Sequence, residues 1–168
     1  MKIKFKKLHE GALIPKKATE GSAAYDLCVP EDTIVKPGRQ IIPLGFAMEI
    51  PIGYEALIDA RSGFSSKGME GHLTTYVVIS PSCSREPDFM QIKPKRFDCD
   101  VIQGKIDSDY RDGVGVIIHN RSSHIFTIKA GTRVAQMSFL RVYDAEWEET
   151  DTLSETERKG GFGHTGTK

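Results

Sequence analysis

Nowhere in this 168-residue chain does an apolar residue recur at helical spacing for long enough to build an amphipathic helix. That absence constrains the fold more than any other feature. Short runs rich in β-branched and aromatic residues take its place: "KIKF", "DTIV", "RQIIPLGFAMEI", "YEALIDA", "LTTYVVIS", "VGVIIHN", "HIFTIK" and "TRVAQMSFLRVY". Turn signals such as Pro37-Gly38, Pro51, Gly53, Asn120 and Ala130-Gly131 separate them. Many short strands punctuated in this way predict an all-β sandwich, jelly roll or barrel. The length suits one domain with a real core, and no internal repeat divides it.

Charge narrows the function classes. Lys plus Arg and Asp plus Glu stand at 23 each, so no global field draws the chain to nucleic acid or to a membrane surface. Any phosphate recognition must be local. No apolar run approaches the roughly 18 residues of a membrane span, and the basic opening "MKIKFKKLHEGALIP" has no apolar signal-peptide core. Cys28, Cys83 and Cys99 form an odd set without a CxxC pair and read as buried or idle thiols in a reducing cytosol. The histidines are scattered, with no HExxH, which argues against a protein-built zinc site.

Two segments break the strand rhythm. Residues 70–96 contain one strand pattern and then "PSCSREPDFMQIKPKR", a polar loop; the basic "MQIKPKRF" could supply a returning strand. After Asp144 the chain turns acidic and ends in "ERKGGFGHTGTK", which by composition is a flexible tail.

Three polar clusters each admit two readings. "IDSDYR" is either a turn at a strand end, closed by Asp and Ser, or a carboxylate fixed on a strand as a general base beside an aromatic wall. "ARSGFSSKG" is a solvated turn or an anion site in which Arg61, Ser62 and backbone N–H groups face phosphate oxygens. "GGFGHTG" is a linker, or a glycine-rich segment whose backbone approaches phosphate while Phe162 stacks on a base.

Their order along the chain is more specific than any one of them. "AAYDL" (23–27), "RSGFSSKG" (61–68), "GKIDSDYR" (104–111), "GTRVAQ" (131–136) and "RKGGFGHTG" (158–166) together resemble the five ordered motifs of the trimeric dUTP diphosphatases, the dUTPases. The resemblance implies an all-β jelly roll assembled as a homotrimer, with a catalytic domain over 1–148 and a C-terminal arm over 149–168 that closes a site between subunits. An insertion at about 70–96 has no counterpart in a minimal member. The implied reaction is dUTP plus water giving dUMP and diphosphate, with Mg2+ riding on the triphosphate. By the family pattern, Asp107 activates the water and Tyr110 packs under the deoxyribose. The hairpin from Val101 through Gly104 to Ile106 binds the uracil edge through its backbone. Asp26 holds waters on the Mg2+, Arg61, Ser62 and Gly63 bind phosphate oxygens, and Gln136 helps place phosphate and water. Arg158 and Gly163 clamp the γ-phosphate, while Phe162 covers the uracil. The implied setting is the cytoplasm, or a host cytosol for a viral protein, with residues 70–96 a possible surface for a protein partner.

The sequence departs from the pattern in three places. Asp112 separates Arg111 from Gly113, Val101 stands where many bacterial members have asparagine, and the spacing from Arg158 to Phe162 is one residue tighter. Two other readings compete: a dCTP deaminase-like relative, and a nucleotide-responsive interaction protein of the same fold. Tyr110 and the "GGFG" arm favour the diphosphatase over the first, and an intact Asp107 favours it over the second.

Overall fold

The computed structural model describes residues 1–74 and 93–157. Thirteen strands and one short helix are found among them. A four-stranded sheet holds β10 (Gly104–Ile106), β6 (Tyr54–Asp59), β13 (Arg133–Arg141) and β2 (Tyr25–Cys28), in that order. A second four-stranded sheet runs β3 (Thr33–Val35), β12 (Phe126–Ile128), β7 (Met69–Leu73) and β8 (Lys95–Phe97). A three-stranded sheet holds β4 (Gly38–Pro43), β11 (Gly115–Asn120) and β9 (Cys99–Ile102), and β1 (Lys4–Lys7) pairs with β5 (Phe46–Glu49) as a ribbon. Every pairing is antiparallel. This is the all-β architecture that the strand-and-turn rhythm predicts, in the jelly-roll form that the resemblance implies.

The core follows from period-two alternation. Along β11, Val116, Ile118 and Asn120 are buried while Gly115, Ile117 and His119 are half-buried, so one face of the strand packs inward. Asn120 satisfies its polarity locally. Its Nδ2 donates to the His124 carbonyl at 2.8 Å, and its Oδ1 accepts from the Ser122 N–H and hydroxyl. Phe97 and Phe126 stack with ring centroids 4.0 Å apart. Gly71 lies against this pair, where a Cβ would meet the Phe126 ring at 2.4 Å. The inward alternation of Phe97, Cys99 and Val101 holds: the first two are buried and Val101 packs against the core. Burial pushes the Cys99 thiol up to about 12 and raises that of Cys28, whose neighbour Asp26 adds to the shift. Both therefore stay protonated at neutral pH. Cys83 lies outside the described residues.

Two local readings are corrected. "RQIIPLGFAMEI" is two strands, β4 and β5, because Gly45 takes φ 71° between them. "RSGFSSKG" contains a six-residue helix, α1 (Ser62–Lys67), ended at Gly68 with φ 74°. The strand at the start of the next segment is β7, Met69–Leu73; Thr75 to Ser80 of "LTTYVVIS", read as a strand in the sequence, lie outside the described residues. The two ends of the 70–96 segment are thus sheet: Glu70 pairs with Arg96 and Gly71 with Lys95. No helix among the described residues is long and apolar enough to cross a membrane.

Candidate active site

Two clusters emerge, built from different motifs. The first forms where the chain passes from β9 to β10 through Gln103. β9 has only β11 as a neighbour and β10 only β6, so among the described residues each leaves one edge unpaired. Free strand edges present peptide N–H and C=O groups in fixed positions. Beside them is a cavity of about 310 Å³ lined by Ile41, Ile58, Ile102, Gly104, Ile106, Asp107, Tyr110 and Val114, among others. It is an apolar slot with a polar backbone rim and one carboxylate, a combination that suits a flat heterocycle attached to a charged chain.

Asp107 follows β10 directly, at the start of a tight turn. The Tyr110 N–H donates to the Asp107 carbonyl at 3.2 Å, and Arg111 Nη1 donates to the carbonyls of Ser108 and Tyr110 at 2.7 and 2.9 Å. The Tyr110 hydroxyl donates to the Gly113 carbonyl at 3.1 Å. Arg111 therefore closes the turn with its own side chain, which leaves room for Asp112 before Gly113. Tyr110 is 40 % exposed and lines the cavity. Val101 packs inward, and the side chain reaching the cavity from β9 is its neighbour Ile102. Any contact from Val101 must come from its backbone.

The second cluster lies at the opposite corner of the same sheet. Gln136 is paired with Asp26 on one side and Asp59 on the other, and Gln103 Nε2 donates to Asp59 Oδ1 at 2.8 Å. Asp26 is gripped from two directions: Arg61 Nε lies 2.7 Å from Oδ1, and Arg133 Nη1 lies 3.1 Å from Oδ2. Arg61 leads into α1, where Ser62 and Gly63 open the first turn with N–H groups that have no partner within the helix. Arg61, Gly63, Lys67, Arg96 and Arg133 line an open cavity of about 390 Å³ there. Arg133 was missed in the sequence. Its only signal is its place in "GTRVAQ", since 107 residues separate it from Asp26.

Gln103 joins the β9–β10 passage to Asp59, but Asp107 and Asp26 do not meet within one chain. Asp107 follows Ile106, which pairs with Ala56, whereas Asp26 is in the row of Asp59. Four residues along the strands and three strand spacings across put their backbones about 20 Å apart. Arg158, Phe162 and Gly163 lie outside the described residues. Among the described residues no group of His, Cys, Asp or Glu could enclose a metal ion.

A family model described as dUTPase matches residues 10–81 and 95–166, and so spans all five motifs. A deoxyuridine 5'-triphosphate nucleotidohydrolase of Nautilia profundicola is 41% identical over 168 residues, covering 99% of each chain. Among solved structures, a mutant dUTPase of Staphylococcus bacteriophage 80alpha with dUpNHpp superposes with a TM-score of 0.73 at 22% identity, covering 98% of each chain. A mutant dUTPase of phage phi11 of S. aureus, described with a structural Mg(II) ion, gives 0.67 at 20% identity, covering 91% of this chain and 99% of its own. At those identities the two phage proteins speak for the fold. The family model and the bacterial relative speak for descent, and this chain belongs to the dUTPase family.

Proposed function

We propose that this protein hydrolyses dUTP to dUMP and diphosphate at sites completed between subunits of a homotrimer. One observation carries the reading: Asp107 with its cavity and the Arg61–Asp26–Arg133 cluster sit on opposite corners of one sheet. A single nucleotide can touch both only if the second cluster comes from a neighbouring chain. A closed cyclic assembly presents one corner of each subunit to the opposite corner of the next.

In this reading the free edges of β9 and β10 read the uracil. Their fixed donors and acceptors match uracil and mismatch cytosine, and the walls of Ile102, Ile106 and Ile117 leave little room for a methyl at C5. Tyr110 stacks under the deoxyribose and excludes a 2′-hydroxyl by contact. Asp107 takes a proton from a water attacking the α-phosphorus, and diphosphate leaves. Phosphoryl transfer depends on positioning and charge neutralisation, which the neighbour's Arg61, Ser62, Gly63 and Gln136 supply. Arg158 and Gly163 of the arm close on the γ-phosphate and Phe162 covers the base. The arm thus begins at about 149, after a domain spanning 1–148.

The residues fit Mg2+ carried on the triphosphate better than a protein-held ion. Both Asp26 oxygens already face a guanidinium, yet each keeps a lone pair able to accept from a metal-bound water. Bound there, Mg2+ would neutralise phosphate charge. Arg133 is then a positioning residue for Asp26. Arg133→Gln is expected to lower kcat/KM by about 10- to 100-fold and to raise the Mg2+ concentration needed for half activity. Arg133→Lys should recover part of both. An unchanged Mg2+ requirement would assign Arg133 to stability alone.

The direct test is diphosphate release from dUTP against dTTP, dCTP and UTP. Turnover confined to dUTP is expected, whereas deamination of dCTP would establish the competing activity. The setting proposed is the cytosol of a cell or of a viral host. A second role, through a protein partner held by residues 70–96, is compatible with β7 and β8 as the base of that segment.

A further inference from the structure

The cavity beside Asp107 lies between two sheets. Ile41, Ile102 and Ile117 come from the sheet of β4, β11 and β9, whereas Ile58, Gly104 and Ile106 come from the sheet of β10, β6, β13 and β2. Its width is therefore a distance between separate sheets, and no ladder within one sheet fixes it. A single residue, Gln103, carries the chain from β9 in the first sheet to β10 in the second.

β10 is poorly suited to hold that position by its backbone alone. It is three residues long, begins with glycine and pairs on one side only among the described residues. Glycine weakens a strand because it has no side chain to pack. The fold itself makes no demand for glycine here: Gly104 is not among the glycines with positive φ, and a Cβ would meet no atom within 4 Å. That space is open to a ligand.

Two side-chain straps reinforce the three backbone pairs between β10 and β6. Gln103 Nε2 donates to Asp59 Oδ1 at 2.8 Å. Lys105 Nζ donates to both carboxylate oxygens of Glu55, at 2.7 and 2.8 Å. Gln103 and Lys105 are exposed and Ile106 is buried, so both straps cross the outer face of the pair. Their anchors are firm. β6 is an interior strand with β13 on its far side, where Asp59 pairs with Gln136, and the Glu55 side chain is only 13 % exposed. The first strap holds the end of β10 that leaves β9, and the second lies two residues before Asp107.

We propose that Gln103 is a specificity-determining positioning residue. Its bond to Asp59 holds the start of β10 and so sets the width of the slot that selects the base. Lys105 on Glu55 holds the other end, which carries Asp107. This rests on the reading that the free edges of β9 and β10 read uracil. Without the first strap β10 drifts from β9, which admits a C5 methyl and loosens the row of donors and acceptors that separates uracil from cytosine. Without the second, Asp107 shifts relative to the α-phosphorus and base choice is spared.

Steady-state kinetics on dUTP and dTTP divide these roles. Gln103→Ala is expected to raise KM for dUTP about 10-fold with little change in kcat, and to cut the dUTP:dTTP ratio of kcat/KM about 10-fold. Lys105→Met is expected to lower kcat about 10-fold and to keep that ratio near parental, with Lys105→Arg recovering kcat. Gln103→Glu sets two carboxylates against each other and should resemble Gln103→Ala. Adding Asp59→Asn exchanges donor and acceptor, remakes the bond and should return the ratio toward its parental value. A dUTP:dTTP ratio that stays parental in Gln103→Ala would overturn the proposal, even with a lowered Tm, because a role in stability alone moves only the latter. Failure of Asp59→Asn to rescue Gln103→Glu would overturn it as well. Gln103→Ala and Lys105→Met changing KM and kcat alike would overturn the division between the straps. Parental protein that turns over dTTP as readily as dUTP would instead overturn the uracil reading, before any variant is made.

Discussion

Asp107→Asn is expected to leave the fold and dUTP binding intact while lowering kcat by roughly 10²- to 10⁴-fold. The substitution is isosteric, and the turn that follows it is held by the Tyr110 N–H and the Arg111 guanidinium on backbone carbonyls rather than on the carboxylate. Removing the charge therefore takes away the proton acceptor and little else. Steady-state kinetics with equilibrium binding of a non-hydrolysable dUTP analogue would separate the two effects, with kcat falling and affinity holding. Turnover close to the parental rate would move the general base elsewhere, and Asp109 would be the next residue to test.

How far this site was legible depends on distance along the chain. Asp107 and Tyr110 are three residues apart, so a sequence alone brings them to one turn, and the cavity between β9 and β10 gathers them as that spacing implies. The pairing of Asp26 with Arg133 depends on the register of β2 against β13, where a bulge shifts the partners between Arg133 and Ala135. No local pattern encodes such a register. The choice between Val101 and Ile102 turns on strand parity, since successive side chains face opposite ways. Reading Val101 as inward-facing was right for packing, and that same parity gives the cavity wall to Ile102.

The strand pattern was legible where one face is buried and illegible where neighbours on both sides hold a mixed sequence in place. β7, "MEGHL", has no clean alternation, yet β12 and β8 bracket it, so tertiary pairing sets its state. The break at Gly45 had a local sign in glycine itself. Its physical cause is distant: a Cβ there would lie 2.7 Å from His9 Cβ, in the segment that follows β1. The helix α1 is too short to show a period.

Truncation after Glu157 is expected to abolish most dUTP turnover while sparing assembly, because it removes Arg158, Phe162 and Gly163 and leaves every described strand intact. The arm can reach a neighbour. From Val142 to the last residue, a fully extended chain covers up to roughly 90 Å, several times the about 20 Å between the two clusters of one subunit. The sharper measurement mixes truncated subunits with Asp107→Asn subunits after dissociation and reassembly. A site works only when its base comes from a truncated chain and its arm from an Asp107→Asn chain. If base and arm belong to different chains, random equal mixing makes about one quarter of the sites competent in a closed trimer. If both come from one chain, each site lacks either its base or its arm, and activity stays at the level of the separate variants. Recovery near a quarter of the parental rate is therefore the expected result. Its absence in verified mixed trimers would mean that each arm closes over its own subunit's Asp107.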